Sequence, residues 1–299
     1  MAVSTSQQIA RYYQQYSEVE VAFTKDVIKA TLLNPKQVFL KCSGYQWPVV
    51  VYSASMTGAK VIANMNPALS DAIRKANNMV SLRLSFLQRD KVDPLAFFVA
   101  AKVAGFTQYG KEKPELYFVT LSYTQRPPDD LIEILGRLID ANANAARRKE
   151  ERIPITADSA RQLGIDHRDA RVYIDGVPRR CIVRDLSFGG AKVVILGLAK
   201  FLVNKQAVLR ITVTETGEEL EIPATVVRFE AVEGRSDIAA IALQFNQENV
   251  PMKFKLLLSG FLNSRKTRSL KAQERSAEGS GATEAGTTGD SETPNENGR

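Results

Sequence analysis

The chain has 299 residues, 44% of them hydrophobic and 24% charged, with a formal charge of +7, a balance typical of a soluble, mildly basic protein long enough for two domains of about 100–200 residues each. Two cysteines (Cys42 and Cys181) and a single histidine (His167) exclude a dense disulfide frame, a four-ligand Cys/His zinc site and a well-founded Ser-His-Asp triad. The basic excess is spread over the chain, although 10 of the 40 Lys/Arg residues fall between Arg147 and Arg184.

The amino-terminal stretch MAVSTSQQIARYYQQY lacks the basic start and continuous apolar run of a secretory signal. Its tyrosines Tyr12, Tyr13 and Tyr16 are expected on the apolar face of a short helix. Trp47, just before Pro48 and the run Val49–Val51, reads as core of the first barrel, and Val80–Leu87 and Ala96–Val103 as short strands. No stretch approaches 18 apolar residues, so no membrane contact is expected, and the reading is of a cytoplasmic protein with free thiols.

Pro127-Pro128-Asp129-Asp130 is a helix start, and Leu131, Ile132, Leu135, Leu138 and Ile139 recur at helical spacing. The stripe ends at Ile139, which places a domain boundary near 141–147. Beyond it, His167 in DHRDAR reads as an exposed or half-exposed loop residue. Val208–Val213 and Ile222–Phe229 are strands. After Pro251, residues Phe254, Leu257, Leu258, Phe261 and Leu262 form a second amphipathic helix. From Arg275 the composition is Ser, Gly, Ala, Thr and Glu, expected to be a disordered tail.

An internal repeat organises these elements. Ser53-Ala-Ser55-Met-Thr-Gly58-Ala59-Lys60-Val61 aligns with Asp185-Leu-Ser187-Phe-Gly-Gly190-Ala191-Lys192-Val193, and Leu121–Gln125 aligns with Leu243–Gln247. The expected fold is mainly β: two small antiparallel barrels of six-stranded type, each followed by an α-helix, with a disordered carboxy-terminal tail. The domains are set at 1–140, an interdomain hinge and arginine arm at 141–153, a second barrel at 154–265 and the tail at 266–299.

Two motifs carry the chemistry. Arg147-Arg148-Lys149-Glu150-Glu151-Arg152 contains an Arg-x-x-x-Arg pair, of which roughly one or two arise by chance among 22 arginines. Asp185-x-Ser187-x-x-Gly190 is rarer, on the order of one chance in twenty. Arginine's planar fork matches a phosphate or the O6/N7 edge of guanine, and Asp accepts from guanine's ring N–H and amine. The pair therefore suits a guanine nucleotide with more than one phosphate.

At these residues the sequence resembles the PilZ family of cyclic di-GMP receptors, with Arg148, Arg152, Asp185, Ser187 and Gly190 matching the signature over about residues 146–263. The resemblance implies a six-stranded barrel whose arm closes over cyclic di-GMP, with no catalytic residues, metal or further cofactor. A basic residue just before the arm implies an intercalated nucleotide dimer, and Arg147 holds that place. The first half is similar to the degenerate PilZN partner of flagellar-brake and spirochaete receptors. It has Ser53 in place of Asp185 and no arginine arm, so it is expected to bind no nucleotide and to offer a surface to a protein partner. The arm from Ala145 to Ile153 is expected to be mobile until ligand orders it, turning nucleotide level into a domain rearrangement in motility or related signalling. The competing readings are a nucleic-acid binder using residues 147–184 and a ligand-independent structural adaptor. No Walker loop, dinucleotide fingerprint or nucleophile elbow supports an enzyme.

Overall fold

Alternation of buried and less buried side chains at a period of two runs through much of the longer strands, and strand pairing closes each half of the chain into a ring. In this computed structural model, which describes residues 5–89, 91–197 and 199–281, the first half comprises α1 (Ser6–Gln15), β1 (Val21–Ala22), α2 (Lys25–Thr31), β2 (Phe39–Cys42), β3 (Tyr45–Ala54), β4 (Gly58–Asn64), α3 (Pro67–Lys75), β5 (Met79–Phe86), β6 (Leu95–Gln108), β7 (Leu116–Tyr123) and α4 (Asp129–Arg147). The second half comprises β8 (Ile153–Pro154), α5 (Ala157–Leu163), β9 (Ile165–Ile174), β10 (Val177–Leu186), β11 (Gly190–Leu196), β12 (Gln206–Val213), β13 (Glu219–Val232), β14 (Arg235–Phe245) and α6 (Met252–Gly281).

Strands β2-β3-β4-β7-β6-β5 form one closed antiparallel barrel and β9-β10-β11-β14-β13-β12 the other, with the two-residue strands β1 and β8 laid beside β3 and β10. Closure leaves no free edge in either ring. The expected pair of six-stranded barrels, each followed by a helix, is the fold observed. The repeat extends to register. Val21 pairs with Ala54 and Ala22 with Ser53, while Ile153 pairs with Leu186 and Pro154 with Asp185, each 132 positions on. Both barrels also carry a bulge at the same place, between Val51 and Ser53 and between Val183 and Asp185.

Inside the first barrel Leu40, Val61, Leu82, Leu84 and Val119 are fully buried; inside the second, Val172, Val193, Leu209, Ile222 and Ile241 are. Each such side chain contributes about 1.5–3 kcal/mol on leaving water. Helix α4 begins after Pro128 with Asp129 and Asp130 in its first turn, where the helix dipole favours anions. Its face Leu131, Ile132, Leu135 and Leu138 is buried in the first core. The helix continues past the end of its apolar stripe at Ile139, as expected of a helix that leads into the arm. It runs to Arg147, because Ala141, Asn144 and Ala145 remain buried and the Asn144 amide donates 2.8 Å to Ser259 Oγ of α6.

The Tyr12 ring of α1 lies on Gly136 of α4, where a Cβ would come within 2.3 Å of it, and Tyr16 donates a 3.1 Å hydrogen bond to Asp140. Burial, and then the Asp140 charge, push the Tyr16 hydroxyl above its ordinary pKa. The expected amphipathic first helix is thus present. Lys29 of α2 lies 2.9 Å from Glu218 of the second half, Arg89 lies near Glu215 and Glu218, and the Met252 amide of α6 donates 2.7 Å to Asp26 of α2. Trp47 is half-buried on β3 against the first core, and both cysteines are free and buried. Of the tail expected from residue 266, residues 266–281 continue α6 and 282–299 lie outside the described residues. No helix among the described residues is long and apolar enough to cross a membrane.

Candidate nucleotide site

The turn from β10 to β11 is held by Ser187. Its amide donates 2.8 Å to the Gly190 carbonyl, and the Gly190 amide donates 3.1 Å to Ser187 Oγ, which itself donates 3.2 Å to the Gly190 carbonyl. Ser187 is fully buried. A Cβ on Gly190 would stand 2.2 Å from the Leu243 carbonyl oxygen of β14. The first barrel has the same turn: Ser55 and Gly58 exchange the corresponding bonds, and a Cβ on Gly58 would meet the Leu121 carbonyl at 2.4 Å. Ser-x-x-Gly thus holds the same turn in both barrels, and the second differs in carrying Asp185 where the first has Ser53.

Above the turn lies the arm. Helix α4 ends with Arg147, which is exposed, and Arg148 follows at its C-cap, 3.8 Å from Glu151. The Gly189 amide donates 2.9 Å to the Lys149 carbonyl, and a Cβ on Gly189 would lie 2.9 Å from the Lys149 side chain. Glycine is needed there for the arm to settle on the turn. At the far end Ile153 is buried and pairs with Leu186. The arm thus touches the barrel at two points, the Lys149 carbonyl and the Ile153 pairing. Arg152 reaches over the edge of the barrel and donates to Asp185 at 2.5 Å.

The fold thus brings Arg152 and Asp185 into direct contact and places Arg148 and Arg147 on the same short arm. Ser187 and Gly190 hold the turn that follows Asp185. His167 is half-exposed but belongs to strand β9 rather than to a loop. In the basic stretch, Arg161 is paired with Asp158 at 3.1 Å and Arg171 with Asp169 at 3.5 Å. No group of three or more His, Cys, Asp or Glu residues fit for a metal occurs among the described residues.

Three features escaped sequence reading. Gly189 is the seat of the arm. Lys192, on β11 beside Asp185, donates to Glu230 at 2.5 Å. Glu20 stands in the first barrel where Arg152 stands in the second and accepts a hydrogen bond from Ser53. The signal for the last was present: the offset that aligns Ser53 with Asp185 also aligns Glu20 with Arg152.

Two barrels of one plan, the second carrying an arginine arm against an Asp-x-Ser-x-x-Gly turn, define a tandem PilZ-type protein. Residues 7–142 match the PilZN3 domain and residues 146–259 the PilZ domain. A protein of Treponema denticola named cyclic di-GMP binding protein is 43% identical over 263 residues, 88% of this chain and 84% of that protein. The chain belongs to the PilZ family. Among solved structures, it is similar to the Borreliella burgdorferi PlzA protein in complex with c-di-GMP (24% identity, TM-score 0.40, covering 86% of this chain and 98% of that one). It is also similar to Escherichia coli YcgR in complex with c-di-GMP (14% identity, TM-score 0.28, covering 83% and 91%).

Proposed function

We propose that the second barrel is a receptor for cyclic di-GMP and that the first is a non-binding partner domain. The observation that carries this reading is the Arg152–Asp185 pair at the mouth of the turn, with Arg147 and Arg148 on the same arm. The arm's three guanidinium groups supply donors for phosphates and guanine edges, and the Asp185 carboxylate supplies an acceptor for guanine's N–H groups. The name of the Treponema relative supports the same ligand.

In this reading Arg148 and Arg152 bind nucleotide directly, Asp185 receives a guanine edge, and Ser187 and Gly190 hold the turn that presents it. Arg147 supports a second, intercalated nucleotide. The arm is continuous with α4, whose buried face belongs to the first core, so a shift of the arm toward nucleotide pulls on the first domain. That coupling would turn occupancy into a change of domain arrangement read by a protein partner, in motility or related signalling. Catalysis has no part in it.

Calorimetric titration of cyclic di-GMP into the full chain tests the assignment. Losing one partner of a desolvated charged contact costs about 2–5 kcal/mol, so Arg148→Ala and Arg152→Ala each weaken binding by tens to thousands of fold. GMP and linear pGpG bind far more weakly. A ratio near two nucleotides per chain supports the dimer. Binding by either variant within about threefold of wild type, or none by wild type at about 100 µM, overturns the reading.

A further inference from the structure

The outer face of the second barrel continues past Asp185 in a row set by strand register. Asp185 pairs with Lys192, Lys192 with Ala242, and Ala242 with Arg228, crossing β10, β11, β14 and β13. One step along lies a second row of Ile182, Val194, Ala240 and Glu230. Ile241 and Leu243 point into the core, so by alternation Ala240 and Ala242 face outward, yet they are only 6% and 8% exposed because the longer side chains beside them close over them. Flanked by long side chains on both neighbouring strands, these two alanines make a low floor. Strands lie about 4.8 Å apart, which sets the Lys192 and Arg228 backbones roughly 10 Å from each other across that floor.

Glu230 serves both cations, accepting from Lys192 at 2.5 Å and standing 3.2 Å from Arg228. Its carboxyl is held below the usual carboxylate range by the Lys192 hydrogen bond and charge, with Arg228 and Arg152 adding to the effect. One continuous cluster therefore holds three cations, Arg152, Lys192 and Arg228, against two carboxylates.

The first barrel shows what the same face looks like without such a cluster. Its rows read Ser53, Lys60, Thr120, Gly105 and Val50, Ile62, Phe118, Thr107. Phe118 stands where Ala240 stands, with Tyr52 4.9 Å and Tyr109 5.1 Å from its ring. Arg228 has become glycine and the floor is filled by aromatic rings.

We propose that Lys192, Ala242 and Arg228 extend the nucleotide site along the barrel, and that Glu230 is its internal counterion, displaced when a phosphate of the bound nucleotide takes its place between the two cations. This inference rests on the receptor reading and deepens it. A carboxylate already seated on the two cations competes with the ligand, so its removal favours binding, a direction opposite to that of most substitutions in a binding site.

The test is titration of cyclic di-GMP into the full chain carrying Glu230→Gln, Lys192→Ala, Arg228→Ala or Ala242→Leu, beside wild type and Arg148→Ala. The Glu230→Gln variant is expected to bind about two- to fivefold more tightly, the range an exposed ion pair contributes. Lys192→Ala and Arg228→Ala each weaken binding by a similar factor, and Ala242→Leu, which raises the floor, weakens it at least tenfold. Failure of wild type to bind removes the receptor reading and this inference with it. Wild-type binding lost in Arg148→Ala but unchanged or weakened in Glu230→Gln leaves the receptor in place and overturns the counterion. Thermal unfolding of Glu230→Gln at the wild-type temperature confirms that the comparison is between folded proteins.

Discussion

Glu20 accepts a hydrogen bond from Ser53 at the place in the first barrel where Arg152 donates to Asp185 in the second. Register fixes the equivalence, since Ala22 pairs with Ser53 as Pro154 pairs with Asp185. The contact between arm and turn has been kept while its charge has been reversed. A carboxylate on the arm repels a phosphate, and Tyr16, at the place of Arg148, is committed to Asp140.

The first barrel is therefore expected to bind no nucleotide, and the full chain has one site rather than two. Calorimetry of the Arg148→Ala/Arg152→Ala double variant checks this. All cyclic di-GMP binding should vanish, with no residual fraction of sites. Retention of half the wild-type stoichiometry would mean that Glu20 does not exclude the ligand.

The motif Asp-x-Ser-x-x-Gly separates into two functions that substitution can tell apart. Gly190→Ala forces a Cβ against the Leu243 carbonyl, and Gly58→Ala does the same at Leu121, both against backbone that a closed barrel cannot easily move. Overpacking of this kind costs about 1–3 kcal/mol, and Tm falls by about 2–4 °C for each kcal/mol in a chain of this size. Asp185→Ala, on a side chain 19% exposed and paired with Arg152, should lower Tm by less than Gly190→Ala and abolish binding. Thermal melts beside titrations read both. A Gly190→Ala protein as stable as wild type would show that the turn tolerates a side chain.

Much of this was legible before any coordinates. Turn chemistry and strand order are local, so the repeat of Ser53–Val61 in Asp185–Val193, the Pro128 helix start and the arginine arm could be read directly from residues. What could not be read depends on pairing between distant strands. Lys192, Ala242 and Arg228 lie on three different strands and meet only through register. The burial of Asn144 was hidden for a related reason: it makes sense only once Ser259 of α6 is opposite its amide. The docked arm likewise depends on Gly189, which reads as one more turn glycine until Lys149 is seen above it.

The crossing of α1 and α4 rests on one glycine. Alanine at 136 would improve helix propensity by about 1 kcal/mol in an open position, but here its methyl would enter the Tyr12 ring at 2.3 Å. Gly136→Ala is expected to be destabilising on balance and to loosen α1 from the first barrel, lowering Tm by several degrees. Tyr12→Ala alone also destabilises, by removing a buried ring. Combined, the two should cost less than their sum, because the small residue at position 12 makes room for the methyl. A double-mutant cycle in urea measures that coupling, and strict additivity would show that ring and glycine are not in contact in solution.

Burial pushes the Cys181 thiol up to about 12 from an ordinary value near 9.0. At pH 8 the folded protein therefore holds it as the unreactive thiol, and iodoacetamide should leave Cys181 unmodified until urea is added, as mass spectrometry of the alkylated peptide would show. The same shift has a consequence for stability. Above pH about 9 the unfolded chain releases this proton while the folded chain retains it, so the unfolded state is favoured progressively up to about pH 12, by as much as about 1.4 kcal/mol per pH unit. Cys181→Ala removes that contribution. The difference in unfolding free energy between wild type and the variant should be flat from pH 6 to 8 and should move against wild type from pH 9 upward. A difference that stays flat to pH 11, or native alkylation at pH 8, would place the thiol in contact with water.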